Sequence, residues 1–420
     1  MFSVHTCPLA TLGGKETGGM NVYVRELTRE FGRRGLPVDV FTRAQRPDHL
    51  RICPLGDHGR VIHITAGQRG PYDKNDLYDH VPQFVEGVRR FAQEEGLSYD
   101  ILHSHYWLSA LVARELRQAW GAPIVHMAHT WGEMKNRVAQ SPAEFESPRR
   151  LASEREIVGF VDRLVAATDR ETQQMQEYYG ADPARVSVVP PGVDLERFRP
   201  LPCPEARAAI GVPRDHLMIL FVGRIQPIKG IDTLMQALAL LLQRQPALRP
   251  RLCVSLIGGD PDPDSEHERS EMARLTALRE SLGIGDLVTF LGSKDQDTLV
   301  HYYSAASMVV MPSHYESFGM VALEAMACGT PVIASDVGGL SFSVAHNFSG
   351  YLVPAGNPDA LAEKIALLLE DGELRRRLSR QARHWAQQYG WGSIADRILE
   401  VYRTTLAGAA IPCLRPCSCG

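Results

Sequence analysis

The stretch "HYESFGMVALEAMACGTPVIASDVGG", residues 314–339, decides the fold. A short turn ending in Gly319 opens into an apolar helix pattern, and the strand pattern "TPVIASD" follows it. Strands that alternate with helices are typical of α/β proteins with parallel sheets, which bind ligands beyond the carboxyl ends of their strands. The backbone amides near Gly319, Met320 and Val321 are suited to bind a phosphate. We therefore predict an α/β fold with an anion site at this turn.

Two carboxylates, Glu316 and Glu324, flank the start of that helix. Glu316 precedes the helix, whereas Glu324 lies inside it among apolar residues, which is unusual for a solvated acid. Continuous helix between them would span about 12 Å, so both cannot hold one small group. An elongated ligand fits better, with a hexose at Glu316, a diphosphate at the helix start and a ribose at Glu324. The pattern predicts a nucleotide-sugar site; the alternative for Glu324 is a surface ion pair.

A second turn, "FVGRIQPIKG" (221–230), carries Arg224 and Lys229 between a strand and a helix. Two cations on one loop can stabilise the negative charge that develops on a leaving diphosphate, where a metal ion would otherwise serve. The alternative is that both are ordinary solvated cations of a loop. The pattern favours a further part of the same phosphate site.

A third turn, "LGGKETGGMNVY" (12–23), places Gly18 and Gly19 directly before a helix pattern. Glycines permit a backbone to approach a ligand closely. The turn matches neither the dinucleotide-binding G-x-G-x-x-G pattern nor the phosphate-binding G-x-x-x-x-G-K-[ST] pattern. A dinucleotide-dependent dehydrogenase and a P-loop ATPase are therefore disfavoured.

Length and composition indicate a folded protein of two domains. A chain of 420 residues exceeds what one hydrophobic core usually supports. The net charge of −4 gives no general attraction to nucleic acid or to anionic lipid. No apolar run approaches the roughly 20 residues of a transmembrane span, and the N-terminus lacks the pattern of a secretory leader. We expect a cytoplasmic protein.

Strand and helix patterns alternate along both halves of the chain. Only "MFSVHT" precedes the first loop, so we expect a shortened first strand and a start that has lost several residues. The Pro-rich stretch 190–213 is the best linker between two domains. We predict an N-terminal domain over 1–198, a C-terminal domain over 199–393, a last helix near 394–408 that packs back on the first domain, and a flexible cysteine-containing tail over 409–420.

Three groups of residues that could suggest metal binding are interpreted as structural. The cysteines in 413–419 lie on a Pro-containing end, which is more typical of a frayed terminus than of a metal site. The acidic loop "GGDPDPDSE" (258–266) is kept extended by its prolines. His103 and His105 alternate as residues of one strand face do. We predict no metal site.

The order and spacing of the three glycine turns resemble those of a known family. With "GGMNVYV" (18–24), "FVGRIQPIKG" and the stretch 312–339, the sequence is similar to the family 4 glycosyltransferases of the GT-B fold over nearly its whole length. That fold is α/β, with two Rossmann-like domains facing each other across a cleft. Segments 100–109 and 128–136 look most like the inositol-phosphate N-acetylglucosaminyltransferases of mycothiol synthesis, with the sucrose-phosphate synthases close behind.

The resemblance implies a donor site for a UDP-sugar. Arg224 and Lys229 would contact the diphosphate, Glu324 the ribose and Glu316 the hydroxyls of the donor sugar. Backbone near Lys294, in "LGSKDQ", would receive the uracil. The implied catalytic residues are His129, Arg224, Lys229 and Glu316. The implied donor-binding residues are Gly19, Arg224, Lys229, Lys294, Glu316, Phe318, Gly319, Met320, Val321 and Glu324.

The resemblance also implies an acceptor site with cations that suit a phosphate. The implied acceptor-binding residues are Asn21, Lys74, Tyr106, Thr130 and Arg150, and His129 would lie beside the reacting sugar. Arg149 is a rival to Arg150. Trp131 is bulkier than the small or aliphatic residue expected there, and the basic loop before "ESPRR" (146–150) is reduced.

The activity implied is that of a retaining glycosyltransferase, EC 2.4.1 type. It would move a hexose or N-acetylhexosamine from a UDP-sugar to a hydroxyl of a small phosphorylated acceptor, with inositol phosphate favoured. One alternative is a sucrose-phosphate synthase, which joins glucose from UDP-glucose to fructose 6-phosphate. Alternatives of other classes are a UDP-sugar epimerase and a non-catalytic nucleotide-sugar binder. No cofactor is expected besides the UDP-sugar, whereas Mg²⁺ stimulation and a homodimer are left open.

Overall fold

The computed structural model describes residues 1–10, 18–46, 49–68, 70, 74–139, 142–259 and 266–410. These residues form two compact α/β units. The first unit comprises 1–10, 19–190 and 391–410, and the second comprises Gly18 and 191–390. The unit boundaries thus lie a few residues before the predicted positions 198 and 393.

The first unit has strands that are parallel except for β2, and helices pack against them. Its strands are β1 (Val38–Arg43), β2 (Ile52–Pro54), β3 (Gly59–Ile64), β4 (Leu102–His105), β5 (Ile124–Met127), β6 (Arg163–Ala166) and β7 (Val186–Val188). Its helices are α1 (Gly19–Arg33), α2 (Val81–Glu94), α3 (Trp107–Trp120), α4 (Gly132–Asn136), α5 (Pro148–Phe160), α6 (Asp169–Tyr179) and the last helix, α15 (Trp391–Ala410). Two sheets result, with the orders β1-β3-β2 and β4-β5-β6-β7. β2 pairs antiparallel with β3.

Residues 1–4 lie between these two sheets and join them. Phe2 forms parallel bridges with both Phe41 of β1 and Ser104 of β4. Its amide donates to the carbonyl of His103 at 2.9 Å. This N-terminal segment is therefore short but lies between β1 and β4, and the strand order reverses there. In open α/β sheets such a reversal opens a crevice at the carboxyl ends of the strands, where ligands bind.

The second unit is built around one parallel sheet. Its strands are β8 (Leu217–Val222), β9 (Leu252–Ile257), β10 (Val288–Phe290), β11 (Met308–Met311), β12 (Val332–Ser335) and β13 (Gly350–Val353). Its helices are α7 (Cys203–Ile210), α8 (Ile231–Arg244), α9 (Glu266–Ser281), α10 (Gln296–Ala305), α11 (Met320–Ala327), α12 (Leu340–Ser343), α13 (Pro358–Glu370) and α14 (Gly372–Ala386). The sheet order is β10-β9-β8-β11-β12-β13. The order reverses between β8 and β11, which places this unit's crevice at the ends of those two strands.

The apolar runs of these strands are buried on both faces. Ile219 and Phe221 of β8 are at most 1% exposed and pack with Leu234 and Leu238 of α8, while Met218 and Leu220 on the opposite face of β8 are 0% exposed. Such burial on both faces explains why the strands read as continuous apolar segments rather than alternating ones. The predicted α/β architecture with parallel sheets is confirmed.

Two strands were absent from the sequence interpretation. β2 is a three-residue, largely exposed strand that ends in Pro54, so it has no apolar alternation to reveal it. β13 has only four residues and follows a polar turn. The predicted acidic loop, with Asp260, Asp262 and Asp264, and the tail cysteines lie outside the described residues.

The last helix, α15, belongs to the first unit and packs against α1. Arg34 pairs with Asp396 at 3.0 Å, and the rings of Phe31 and Tyr402 lie 5.7 Å apart. The hydroxyl of Tyr402 also lies 2.7 Å from Nδ1 of His103 in β4. The chain therefore leaves the first unit after residue 190 and returns to it at Trp391.

Candidate functional site

The loops that follow β8 and β11 are fastened together at the crevice of the second unit. Gly230 has φ +63°, and a Cβ there would collide with the carbonyl oxygen of Pro312. The amide of His314 donates to the carbonyl of Ile228 at 2.8 Å. Only glycine permits both this backbone conformation and this close approach. The end of "FVGRIQPIKG" is thereby held against the start of "HYESFG".

This fastening brings Lys229 and Glu316 together. Nζ of Lys229 forms an ion pair with Oε2 of Glu316, and the two side chains are 15% and 17% exposed. Glu316 is fixed in turn by the glycines after β12, since the amide of Gly339 donates to its carbonyl at 2.8 Å. A Cβ on Gly338 would collide with the same carbonyl oxygen. Two residues that the sequence placed in one site are therefore in contact.

Helix α11 begins beside this ion pair. Gly319 is its N-cap with φ +89°, and Met320 and Val321, both partly exposed, form its first turn. Amides of a first helical turn have no acceptor within the helix and are oriented to receive an anion. Phe318 is 4% exposed and its ring lies 5.9 Å from that of Tyr389. The buried ring of Phe318 thus packs against Tyr389 and stabilises the turn before α11.

Glu324 is buried inside α11, as its apolar neighbours predicted. The residue is 7% exposed, and Tyr303 of α10 donates a hydrogen bond to its Oε2 at 2.7 Å. Burial, followed by the charge of Glu324, raises the pKa of Tyr303. Because the tyrosine remains a donor, it fixes one carboxylate oxygen. The surface alternative for Glu324 does not hold.

The other predicted donor residues lie on separate loops. Arg224 is exposed directly after β8, and Lys294 is partly exposed before α10. The amide of Gly258 donates to the carbonyl of Gly292 at 3.0 Å, which ties the loops after β9 and β10. Gly19 begins α1 in the first unit.

In the first unit, Arg150 connects the predicted acceptor residues. It donates to the Tyr106 hydroxyl from Nη1 at 2.9 Å and to the Thr130 carbonyl from Nη2 at 2.7 Å. Its Nε donates to Glu154 at 2.7 Å, and both side chains are 1% exposed. Arg149, the rival, lies at the surface beside Asp79. The structure therefore places Arg150, and not its neighbour, with Tyr106 and Thr130.

A second carboxylate, Glu146, gathers three cations. Lys74 lies 3.1 Å from its Oε2, Arg150 lies 3.0 Å from its Oε1, and Lys135 also contacts Oε1. Burial alone would raise the pKa of Glu146, but the three cations outweigh it and lower that pKa to about 2. Glu146 is therefore charged at every physiological pH.

The strand ends at the crevice of the first unit carry unusual backbone conformations. Tyr106 after β4 has φ +75° and His129 after β5 has φ +60°, although neither is glycine. Such strain concentrates where surrounding contacts impose it, often at functional sites. Asn21 is fully buried and donates from Nδ2 to Thr6 Oγ1 at 2.8 Å and to the carbonyl of Cys7 at 2.7 Å. Asn21 thereby holds the loop that follows residues 1–4.

His103, His105 and His126 are buried, and the partly exposed His129 lies beside them. His103 and His105 share one strand face, with ring centroids 4.2 Å apart, as their alternation predicted. Nδ1 of His105 lies 3.0 Å from Nε2 of His129. Burial, followed by the proximity of His126 and His5, lowers the pKa of His129 to about 3. At neutral pH His129 is therefore a neutral hydrogen-bonding group rather than a cation.

Comparison with known proteins assigns the family. The family model for Glycosyltransferase Family 4 matches residues 17–197, and that for Glycosyl transferases group 1 matches residues 204–385. A protein of Saccharomonospora viridis named D-inositol 3-phosphate glycosyltransferase is 44% identical, over 97% of this chain and 94% of the relative. One of the same name from Nocardiopsis dassonvillei is 43% identical, over 98% and 95%. The chain belongs to glycosyltransferase family 4.

Solved structures agree with this assignment. A sucrose-phosphate synthase from Thermosynechococcus elongatus is 35% identical and superposes with a TM-score of 0.88, over 97% of the glycosyltransferase and 98% of that chain. WaaG, a glycosyltransferase of lipopolysaccharide biosynthesis, shares the fold at 20% identity, with a TM-score of 0.71 over 96% and 99%. The glycosyltransferase therefore has the GT-B fold class.

Within the described part of the glycosyltransferase, His, Cys, Asp and Glu side chains do not form a group of three that could hold a metal ion. The cysteines among those residues, at positions 7, 53, 203, 253 and 328, are free thiols. Over the same ranges, each helix is too short or too polar to cross a membrane.

Trp131 departs from the expected small residue, and its side chain explains the departure. It is 1% exposed and donates from Nε1 to Oε1 of Glu171 at 3.0 Å. Its ring lies 4.7 Å from that of Tyr179. Burial raises the pKa of Glu171 to about 7, although bonds from Ala167 and Trp131 lower it. Trp131 fills the core between β5 and α6.

The buried carboxyl of Glu171 should make stability depend on pH. Its pKa is about 7 in the folded glycosyltransferase, against an ordinary value of 4.5. The protonated carboxyl contributes about 3 kcal/mol to the free energy of unfolding below pH 4.5, and this contribution is lost as the pH rises to about 7. Urea unfolding at pH 5 and pH 8 should show that Glu171→Gln removes this part of the pH dependence. Glu177→Gln, on the exposed face of α6, is the control, and equal pH dependence of all three proteins would refute the assignment.

The sequence analysis did not identify the residues that pair with Arg150 and Glu324. Glu146 and Glu154 stand four residues either side of Arg150, a helical spacing that could have indicated ion pairs. Tyr303 offered no such signal, since it lies 21 residues from Glu324 on another helix.

Proposed function

We propose that this glycosyltransferase moves a hexose or N-acetylhexosamine from a UDP-sugar to a hydroxyl of a small phosphorylated polyol, with retention of the anomeric configuration. The observation that carries the proposal is the 44% identity, over nearly the whole chain, to a relative named D-inositol 3-phosphate glycosyltransferase. The buried Arg150 beside Tyr106 and Thr130, together with the partly exposed Lys74, supports a phosphorylated acceptor. D-inositol 3-phosphate is the favoured acceptor.

The donor would bind at the crevice of the second unit. Lys229 and Arg224 would bind the diphosphate together with the first-turn amides of α11. Glu316 would accept hydrogen bonds from sugar hydroxyls while it orients Lys229. Glu324 would bind the ribose hydroxyls, and backbone near Lys294 would receive the uracil.

The acceptor would bind at the crevice of the first unit. Lys74 would bind its phosphate, with Tyr106 and Thr130 as hydroxyl partners. Arg150 is buried beneath these groups, so it would act mainly by orienting them. Asn21 would shape the loop that receives the polyol.

The chemical step would take place on one face of the sugar. The bond from the anomeric carbon to the diphosphate breaks as the acceptor oxygen bonds to the same face, and the acceptor proton passes to the departing phosphate oxygen. Lys229 and Arg224 would stabilise the charge that develops on UDP. His129, neutral through burial, would form a hydrogen bond to the donor sugar.

A second candidate is a sucrose-phosphate synthase activity. It is favoured by the TM-score of 0.88 and 35% identity to the sucrose-phosphate synthase of Thermosynechococcus elongatus. Both candidates use a phosphorylated acceptor, so the same cations serve either one.

The test is UDP release from UDP-N-acetylglucosamine or UDP-glucose, each offered D-inositol 3-phosphate or fructose 6-phosphate. We expect release from UDP-N-acetylglucosamine with D-inositol 3-phosphate, and an NMR coupling that shows the retained anomer. Glu316→Ala should abolish it, which excludes a contaminating enzyme.

Each other outcome assigns a different function. Release only from UDP-glucose with fructose 6-phosphate would identify the second candidate. Sugar isomerisation without acceptor would indicate an epimerase, and binding of UDP without turnover would indicate a non-catalytic binder.

A further inference from the structure

The ion cluster of the first unit contains a cation that the proposed roles leave unused. Lys135, on α4, contacts Oε1 of Glu146, the oxygen that Arg150 also contacts. Lys74 lies 3.1 Å from the other oxygen of the same carboxylate. Two ammonium groups and one guanidinium therefore converge on one acid.

Glu146 is held rigidly at the centre of this cluster. Its side chain is 5% exposed, and its amide donates to Oδ1 of Asn136 at 2.7 Å. The next residue, Ser147, caps α5 and donates to Oδ1 of Asn75 at 2.6 Å. Glu146 is thus tied to the segment of Lys74, to α4 and to α5 at once. A carboxylate fixed in this way can set the positions of both lysines.

The buried and the exposed members of the cluster differ in charge. The buried Glu154 accepts hydrogen bonds from Arg150, from the Gly132 amide at 2.8 Å and from the Tyr179 hydroxyl at 2.6 Å. Lys74 and Lys135 are 24% and 29% exposed, whereas Arg150 is 1% exposed. Both lysine side chains are therefore partly exposed, and both contact the carboxylate of Glu146.

Glu146 also opposes the effect of burial on the pKa of Lys135. Burial lowers the pKa of Lys135, and Lys74 lowers it further, while Glu146 opposes both. A dianionic phosphate monoester presents three oxygens to the pair, and charge-assisted bonds from two ammonium groups suit it.

We propose that Lys135 is a further acceptor-binding residue, which binds the acceptor phosphate together with Lys74, and that Glu146 is the positioning residue that holds both ammonium groups in place. The inference rests on the proposed phosphorylated acceptor. It extends the binding of that phosphate to α4, a helix from which the family resemblance drew no acceptor residue.

The test separates phosphate binding from catalysis. Thermal unfolding is measured in inorganic phosphate and in sodium chloride of equal ionic strength, because a ligand that binds the folded state raises Tm. We expect phosphate to raise the Tm of the wild type and the gain to shrink in Lys135→Met and in Glu146→Gln. Arg137→Met is the matched control, since it removes a cation of the same segment that contacts Glu133 and Tyr178 instead.

Steady-state kinetics with the phosphorylated acceptor complete the test. Lys135→Met should raise the acceptor KM about 10- to 100-fold, as expected for a lost charged hydrogen bond, with the UDP-sugar KM unchanged. Glu146→Gln should raise the acceptor KM as well, and Lys135→Arg should restore part of the affinity.

Three results would overturn the inference. A phosphate-dependent gain in Tm that is equal in the wild type and Lys135→Met would remove Lys135 from the site. A larger gain in Glu146→Gln would mean that Glu146 competes with the phosphate rather than positioning the lysines. Absence of any gain in the wild type would refute a phosphate site here, whereas failure of the proposed function alone would leave the gain intact and abolish only UDP release.

Discussion

Lys229→Ala should lower the turnover number about 10²- to 10³-fold, a loss typical of removing one group that stabilises developing negative charge. The expectation rests on the position of Lys229 in the loop between β8 and α8, where its ammonium group meets Glu316 beside the start of α11. Because Glu316 is 17% exposed, water can solvate it once its partner is gone. The fold should therefore remain intact.

The measurement is kcat for UDP release, with Tm and circular dichroism on the same samples. Arg244→Ala is the matched control, because it breaks an ion pair with Asp359 in the same unit at an exposed place. The control should keep its turnover. Near-normal turnover of Lys229→Ala would remove the residue from the proposed mechanism.

Arg150→Met should destabilise the first unit by about 3–5 kcal/mol, which is the usual effect of removing one partner of a buried ion pair. Methionine fills much of the space but leaves the carboxylates of Glu146 and Glu154 without their shared cation. Both acids are at most 5% exposed. Urea unfolding gives the free energy change.

The neighbouring substitution Arg149→Met is the control for this prediction. Arg149 is 47% exposed and pairs with Asp79 at the surface, so we expect a change within about 0.5 kcal/mol. Equal effects of the two substitutions would show that the buried cluster contributes little. Kinetic data on Arg150 variants should be recorded only where the protein remains folded.

Several elements of the site were predictable because their cause is local. The apolar neighbours of Glu324 within α11 indicated a buried acid, and the structure confirms it at 7% exposure. The glycine at 230 was visible as a turn signal, and its positive φ confirms that interpretation. Alternating strands and helices were sufficient for the α/β class.

Other elements depend on contacts that sequence spacing does not encode. Lys74, Lys135 and Glu146 meet from three separate segments, so no pattern along the chain unites them. Trp131 was noted as an unusual residue of the acceptor segment, but its partner Glu171 lies forty residues away. Such pairs follow from the packing of β5 against α6, which only the assembled fold determines.

Because α15 returns to the first unit, the second unit is inserted, in the order of the sequence, between two parts of the first unit. Residues 191–390 contain all of β8–β13 and could be expressed as one continuous fragment. A fragment ending at Pro190 would lack the helix that covers α1 and brings Tyr402 to His103. Dissection of the first unit therefore requires that position 190 be rejoined to Trp391, whereas a simple truncation would leave it incomplete.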